Sequence, residues 1–229
     1  MPRKNRTRRA VRAGTLGLLA LAIVSSAQNN GQREPLCSED SKSRVEVADA
    51  NMSILGLAIG HASLKDVQAR LGNARTVPVS KEEESDVALC YVSPTDGTVL
   101  IFYSGSMAGW VDVTGFALWA REAQYPRASD CLSSKLVSRS LATTGGVRLG
   151  LTKEELQRLL GQPTGFGKAS IKYQYVCRRK MTDDEIKRFK TVNNWDVASD
   201  PYFDVSSTVD VRLIDSQVSR LQISKIESY

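Results

Sequence analysis

One short motif occurs twice in the chain, and it constrains the fold more than any other feature of the sequence. Residues 59–72 and 149–161 share a glycine, a small hydroxyl residue, an amphipathic stretch and a final Leu-Gly pair. Ser63 and Thr152 supply hydroxyl groups of the kind that cap helix N-termini, and the closing glycines suit helix C-termini. The sequence therefore predicts a tandem repeat in which each copy contains a helix of roughly eight residues.

Strand-like runs follow each predicted helix. They cover residues 86–92, 98–103 and 111–119 in the first copy and residues 171–177, 208–214 and 217–224 in the second. A further strand before each helix is considered at residues 44–48 and 136–141. The expected fold class is α+β, with two tandem helix-plus-antiparallel-sheet repeats over residues 37–130 and 131–229. Residues 178–207 interrupt the second repeat as an insertion, with its own short helix capped by Thr182 and Glu185.

The N-terminal region has the three-part layout of a secretory signal peptide. Residues 1–12 are basic, residues 13–24 form an apolar run, and small residues follow up to Ala27. The run is shorter than the roughly 20 residues of a membrane span, which argues against an uncleaved anchor. We expect residues 1–27 to be a signal peptide and residues 28–36 to be a flexible segment. The mature protein is then periplasmic or secreted, without a stable membrane span, and export by either the Sec or the twin-arginine route remains open.

The excess of basic over acidic residues in the chain lies in this N-terminal leader. The sequence contains 31 Lys and Arg against 25 Asp and Glu, and six of the basic residues lie in residues 1–27, which contain no acidic residue. The remaining chain is therefore formally neutral, which argues against a nucleic-acid partner. The two repeats differ in charge, since residues 37–130 hold 8 basic and 13 acidic residues and residues 131–229 hold 16 and 11.

The cysteines are Cys37, Cys90, Cys131 and Cys177, an even number at wide spacing and without a Cys-x-x-Cys pair. In an exported chain this pattern indicates two structural disulfides rather than a metal or redox site. Four cysteines allow three pairings, and the symmetric choice gives each repeat one bridge. We therefore expect the pairs Cys37–Cys90 and Cys131–Cys177.

Residues 149–163 contain Gly-x-Thr, an amphipathic stretch and Leu-Gly-x-Pro ahead of the predicted strands. This motif resembles the BamE (SmpA/OmlA) superfamily, and its tandem, disulfide-containing form resembles the β-lactamase inhibitory protein-like superfamily. The resemblance implies a non-catalytic, exported protein-binding module of the cell envelope that acts through an open sheet face or loops. Its partner would be another protein, an envelope component. The alternative is a proteinaceous inhibitor of a secreted or periplasmic hydrolase.

Two features separate the chain from those families. BamE-type members are lipoproteins, whereas no cysteine directly follows the apolar run of this leader. The target-contacting residues of the inhibitor family have no position-by-position match in this sequence. The resemblance therefore implies an architecture and a class of function, and it carries over neither an outer-membrane assembly role nor a target.

Few residues are of the types that carry catalysis. His61 is the only histidine, which excludes two-histidine relays and His-rich metal sites. Residues 161–169 lack the spacing of a phosphate-binding loop. The acidic runs 82–84 and 183–185 fit a solvated loop and the first turn of a helix. We therefore expect no enzymatic activity, no catalytic residue, no cofactor and no metal site.

Strand alternation assigns the side chains of the second repeat to two faces of a sheet. The predicted core face carries Val209, Val211, Leu213, Leu221 and Ile223. The predicted open face carries Asp210, Arg212, Arg220 and Gln222. The open face of the second repeat is therefore expected to be polar.

The same register, projected onto the first repeat, predicts an apolar open face. It places Val99, Ile101, Tyr103, Phe116 and Leu118 in the core. It leaves Leu100, Phe102, Ala117 and Trp119 on the open face, with Trp110 in the adjoining loop. Such a patch predicts a docking surface for a protein. The alternative is that the patch is buried against the other repeat or the insertion.

The insertion supplies further aromatic and basic side chains, and insertions on a repeat scaffold often carry the individual function. Its densest basic cluster contains Arg178, Arg179, Lys180, Lys187, Arg188 and Lys190, for which a solvated helix face is favoured over an anionic partner. The residues predicted to contact a protein partner are Leu100, Phe102, Trp110, Trp119, Trp195, Tyr202 and Phe203.

Overall fold

A computed structural model describes residues 37, 49–78, 86–105, 108–109, 111–120, 130–193, 197 and 199–229. The predicted signal peptide, the flexible segment 28–36 and the strand considered at 44–48 lie outside the described residues. The boundaries of the two repeats stay a prediction.

Besides the helical residues 49–51, three helices begin where the sequence predicts. They are α1 (Leu64–Leu71), α2 (Lys153–Leu160) and α3 (Asp183–Arg188), the last continued by a π-helical turn at Phe189–Asn193. Each has a complete capping box, in which the cap hydroxyl accepts a backbone N–H and a carboxylate three residues later accepts the N–H of the cap. Gly72 and Gly161 end α1 and α2 at positive φ angles of 109° and 77°, which glycine adopts most readily.

More of the described residues lie in β-strands than in helices. The strands are β1 (Ser53–Ile54), β2 (Leu57–Ala58), β3 (Thr76–Pro78), β4 (Asp86–Val92), β5 (Val99–Gly105), β6 (Gly115–Trp119), β7 (Leu132–Ser133), β8 (Gly165–Phe166), β9 (Ser170–Lys180), β10 (Tyr202–Ile214) and β11 (Gln217–Ser228). The main sheet runs β3-β4-β5-β6-β11-β10-β9-β8 through antiparallel pairs, and β7 lies parallel beside β4. The α+β prediction is thus confirmed as a mixture of helix and antiparallel sheet in which sheet dominates.

The six predicted strands after the helices are present but differ in extent, since β6 begins only at Gly115 and β11 continues to Ser228, and the strand considered before the second helix is absent. Residues 178–180 and 202–207, the ends of the predicted insertion, continue the β9–β10 hairpin. Residues 136–141 form turns instead of a strand, because the N–H groups of Val137 and Leu141 donate to the carbonyls of Ser134 and Ser138.

The core lies between the helices and one face of the sheet. α1 contributes Leu64, Val67 and Leu71 and α2 contributes Leu156 and Leu160, all buried. From the C-terminal strands, Val209, Val211, Leu221 and Ile223 are buried in the same cluster and Leu213 packs against it, as predicted. From β5 and β6 the cluster takes Leu100, Phe102, Phe116 and Leu118.

The predicted register of β5 is therefore wrong, since Leu100 and Phe102 face the helices. Leu100 pairs with Leu118 and Val99 with Trp119, so Val99 and Ile101 lie on the opposite face with Trp119. The cause is the sequence of β5: residues 99–103 are apolar at every position, so alternation there carries no information about the faces.

The disulfides pair differently from the prediction. The structure contains Cys37–Cys177 and Cys90–Cys131. Residue 37 lies along β9, where its N–H donates to the carbonyl of Arg178 at 2.8 Å. β7 runs beside β4 and brings Cys131 to Cys90. Both bridges cross the predicted boundary between residues 130 and 131, so the expectation of one bridge within each repeat was wrong.

Candidate protein-binding face

The sheet face opposite α1 and α2, here called the open face, is polar where β9, β10 and β11 form it. Because paired residues of neighbouring strands lie on the same side, two cross-strand rows can be followed. One row runs Ser170, Arg212, Arg220 and Trp119, and the next runs Lys172, Asp210, Gln222 and Ala117. Both rows cross the central β6–β11 pair.

Arg220 and Trp119 form the central contact of this face. The guanidinium carbon of Arg220 lies 4.5 Å from the ring centroid of Trp119, within the range of a cation–π interaction. Nη2 of Arg220 also donates to Oε1 of Gln222 at 2.6 Å. Trp119 is 8% exposed, so its ring forms the floor beneath a half-buried arginine.

A cleft of about 490 Å³ lies beside this contact. Its lining comes from the start of β9 and the two residues before it, from β10 and from β11: Lys168, Ala169, Ser170, Asp210, Val211, Arg212, Arg220 and Gln222. Three cationic side chains thus face one carboxylate. Within the described part of the chain, Lys168, Arg212 and Arg220 make no ion pair. The cleft is therefore an open, positively charged surface.

A β-bulge adjoins the cleft. Arg212 pairs with Arg220 and Leu213 with Val218, which leaves Ser219 as the extra residue of β11. The Ser219 hydroxyl donates to the carbonyl of Arg212 at 3.1 Å, and its own carbonyl accepts the N–H of Ala120. Bulges increase local twist and are over-represented next to functional sites, where they redirect side chains.

The part of the same face that β4, β5 and β6 form is apolar and buried. Ala88, Cys90, Val99, Ile101, Ala117 and Trp119 form a second cluster, with Tyr103 and Cys131 packed against it. Burial raises the pKa of Tyr103 to about 12, an effect that the positive charge of Arg220 partly opposes. The arrangement agrees with the alternative of internal burial for Ala117 and Trp119.

Arg178 and Arg179, at the start of the predicted insertion, are paired within the chain. On one side of β9, Arg178 donates to Asp200 at 2.6 Å, lies 3.4 Å from Asp204, and stacks 4.7 Å from the centre of the Tyr202 ring. These contacts raise the pKa of Arg178, with the hydrogen bond to Asp200 as the main cause. Charge and aromatic contact on this side are therefore satisfied within the chain.

The opposite side of β9 repeats that arrangement. Arg179 bonds Glu185 at 2.9 Å and Glu227 at 2.7 Å, and it stacks 4.8 Å from the ring centre of Phe203. Phe203 in turn meets Phe189 at a centroid distance of 5.6 Å. Hydrogen bonding to Arg179 is the main reason why the pKa of Glu185 is held at about 2.

The structure separates the seven residues predicted to contact a partner. Leu100 and Phe102 are buried beneath the helices, where they cannot reach a partner. Trp119 lies beside the cleft against Arg220, whereas Tyr202 and Phe203 are ten and nine residues before Arg212 along β10, about 30 Å away. Trp110 and Trp195 lie outside the described residues.

The basic side chains of the cleft were not among the predicted contacts. Alternation along residues 209–213 already placed Arg212 on the open face. What was missing was the pairing of β6 with β11, which joins residues about a hundred positions apart and brings Arg220 onto Trp119. Short-range patterns contain no signal for such a contact.

Other candidate chemistry is sparse among the described residues. A second cleft of about 460 Å³ is lined in part by Asp86, Asp112, Lys225 and Glu227, and Lys225 lies 3.4 Å from Glu227. The described residues contain no group of three or more His, Cys, Asp or Glu side chains arranged to hold a metal ion. None of the described helices combines the length and apolarity needed to cross a membrane.

Comparisons of the chain with protein-family models, with curated proteins and with solved structures found no match.

Proposed function

We propose that this chain is a non-catalytic, exported protein-binding module of the cell envelope, built from two tandem BamE-like repeats, and that its partner docks on the open face. The observation that carries the proposal is the Arg220–Trp119 contact at the edge of the basic cleft. Arginine and tryptophan are enriched among the residues that dominate binding energy at protein interfaces. An exported location is supported by two disulfides, which persist in oxidising compartments.

The repeat is supported by the order of the elements. α1 precedes β3 to β6 and α2 precedes β8 to β11, and the last strand of each series pairs with the other in the middle of the sheet. The open face at that junction therefore belongs to both repeats. A partner docked there contacts a surface that neither repeat presents alone.

A non-catalytic role is supported by the carboxylates whose pKa values depart most from normal. Glu185 is held by Arg179 and by the N–H of its helix cap. Desolvation is the largest single influence on Asp96 and raises its pKa, but the hydrogen bonds that it accepts, led by the backbone N–H groups of Arg139 and Thr98, together lower the pKa to about 2. Both groups are thus engaged in structural hydrogen bonds rather than poised for proton transfer.

Site-specific photo-crosslinking in the producing cells tests the proposal. A photoreactive amino acid at Ala169 lies at the cleft, and one at Leu159, exposed on α2, serves as the matched control on the helix side. We expect a covalent adduct from position 169 and none from position 159, with mass spectrometry deciding whether the adduct is an envelope component or a hydrolase. Equal adducts at both positions, or none at 169, would contradict docking on the open face.

A further inference from the structure

We infer that the partner presents a carboxylate-rich protein segment to the basic cleft, with Arg212 and Arg220 as the paired anchors. This inference rests on the proposed function, because it names the chemistry of the partner at the same face. The juxtaposition that carries it is the direct opposition of the two arginines in the β10–β11 register, beside Lys168.

Two like charges in directly opposed positions of a sheet repel each other. Arg212 is exposed and Arg220 half-buried, and within the described residues neither side chain has an acidic partner. Asp210, the carboxylate in the cleft, lies in the next row, opposite Lys172. An anion placed between the two guanidinium groups is attracted to both of them and offsets their mutual repulsion.

The side chain of Arg220 is held ready for such a contact. The indole ring of Trp119 supports its guanidinium from below, and the hydrogen bond to Gln222 restrains it laterally. Binding then costs less side-chain entropy than it does for a freely rotating arginine. The planar guanidinium can still present further N–H donors to a carboxylate, and paired N–H donors match the two oxygens of that group.

The composition of the cleft favours a protein segment over other polyanions. Nucleic acids, polyphosphate and anionic membranes are bound by extended arrays of cations. Here three cations surround a cleft of about 490 Å³ that also contains the carboxylate of Asp210 and the amide of Gln222. Singly charged carboxylates on an extended chain can alternate with these groups, whereas a dense row of phosphates would be repelled by Asp210.

Fluorescence anisotropy with the exported, disulfide-bonded protein and a fluorescein-labelled oligo-glutamate peptide tests the inference. We expect binding that weakens as salt rises and that falls at least about tenfold in the double variant R212E/R220E. The matched control K65E/K135E makes the same change in net charge at exposed positions away from the cleft, and we expect it to retain binding. The milder R212Q/R220Q variant, with an intermediate loss expected, covers the case in which charge reversal disturbs folding.

Several outcomes would overturn the inference. One is equal affinity for oligo-glutamate and for an uncharged peptide, and another is unchanged affinity in both arginine variants. Tighter arginine-dependent binding of polyphosphate or of phosphatidylglycerol vesicles would show a different class of anion. A crosslink from position 169 that persists in R212E/R220E would refute the acidic segment while leaving docking on the open face intact, whereas the absence of any such crosslink when Arg212 and Arg220 are both present refutes the proposed function itself.

Discussion

The guanidinium of Arg220 lies 4.5 Å from the ring centroid of Trp119 across the β6–β11 pair. This contact joins β6, the last strand of the N-terminal series, to β11, the last strand of the C-terminal series. The same two residues therefore lie both at this pairing of β6 with β11, here called the β6–β11 joint, and at the candidate site. The two side chains nevertheless differ in burial, because Trp119 is 8% exposed and Arg220 is half-buried. Their contributions to stability and to binding should therefore separate.

Truncation of these two residues separates folding from binding. Trp119→Ala removes a large buried ring and should lower the free energy of unfolding by about 3–5 kcal/mol. Arg220→Ala loses mainly the cation–π contact and should cost about 0.5–1 kcal/mol while weakening partner binding. Urea denaturation measures the loss of unfolding free energy in each variant, and the anisotropy assay with oligo-glutamate measures the loss of binding. Equal losses in the two variants would show that Arg220 is as structural as Trp119.

The helices were predictable from sequence because their signals are local. Ser63 lies three residues from Asp66 and Thr152 three residues from Glu155, and each pair forms the reciprocal hydrogen bonds of a capping box. A closing glycine lies within the same short segment. No other part of the chain has to be placed correctly for these elements to be recognised.

The faces of β5 and the disulfides depended on distant parts of the chain. β5 is apolar at every position from 99 to 103 because both of its faces are covered, so its register is defined by pairing with β4 and β6. The disulfide pairing depends on two long-range contacts: residue 37 lies along β9, and β7 pairs with β4. Repeat symmetry predicted one bridge in each copy, but both bridges join residues on opposite sides of the predicted repeat boundary.

The β6–β11 joint requires a glycine at position 115. A Cβ added at Gly115 would lie 2.7 Å from the carbonyl oxygen of Ile223, closer than a carbon can approach without moving the strand. Gly115→Ala should therefore cost about 1–3 kcal/mol in unfolding free energy. The control is Gly165→Ala on β8, where the added Cβ meets Lys172 at an ordinary 3.7 Å and the effect should be neutral or slightly stabilising. Thermal unfolding that ranks the two variants in the reverse order would contradict the observed packing at the joint.

Protonation of Glu185 should make the protein less stable in acid. Arg179 and the helix cap at Thr182 hold its pKa at about 2, below the ordinary value of 4.5. A carboxylate whose pKa is lowered by folding stabilises the protein above the unfolded-state pKa, and that stabilisation is lost as pH falls from about 5 towards 2. Because the pair is one-third exposed, we expect a loss of about 1–2 kcal/mol.

The Glu185→Gln variant isolates this contribution. Glutamine retains much of the cap but does not titrate, so the gap in unfolding free energy between variant and parent should close as pH falls through that window. Urea titrations at a series of pH values measure it. A constant gap would show that Arg179 does not control the charge of Glu185.

The observed disulfides predict both a peptide map and an order of stabilities. Proteolysis without reduction should release peptides joined through Cys37–Cys177 and through Cys90–Cys131, and a Cys37–Cys90 peptide would contradict the structure. The bridges span 140 and 41 residues. By the loop-closure model their removal costs about 5 and about 4 kcal/mol. Denaturation of C37A/C177A and C90A/C131A under identical conditions tests that order, and a much larger loss in the second pair would point to packing around Cys90 instead.

Two tyrosine hydroxyl groups donate hydrogen bonds to backbone carbonyls at the C-terminal ends of α1 and α2. The hydroxyl of Tyr91 donates to the carbonyl of Gly72 at 2.8 Å, and that of Tyr175 donates to the carbonyl of Leu160 at 3.2 Å. Each Tyr→Phe change should cost about 0.5–1.5 kcal/mol, because a helix-terminal carbonyl loses its donor. The two losses should add in the double variant, since the two bonds share no residue.

Tyr173 provides the matched control for these variants. It is fully buried, and its hydroxyl makes no hydrogen bond within the described part of the chain. Tyr173→Phe removes the same oxygen without breaking such a bond, so the free energy of unfolding should stay constant or rise by up to about 1 kcal/mol. Chemical denaturation of the three single variants compares their free energies of unfolding. If Tyr173→Phe were as destabilising as the other two, loss of the helix-end hydrogen bonds could not explain the effect of Tyr91→Phe and Tyr175→Phe.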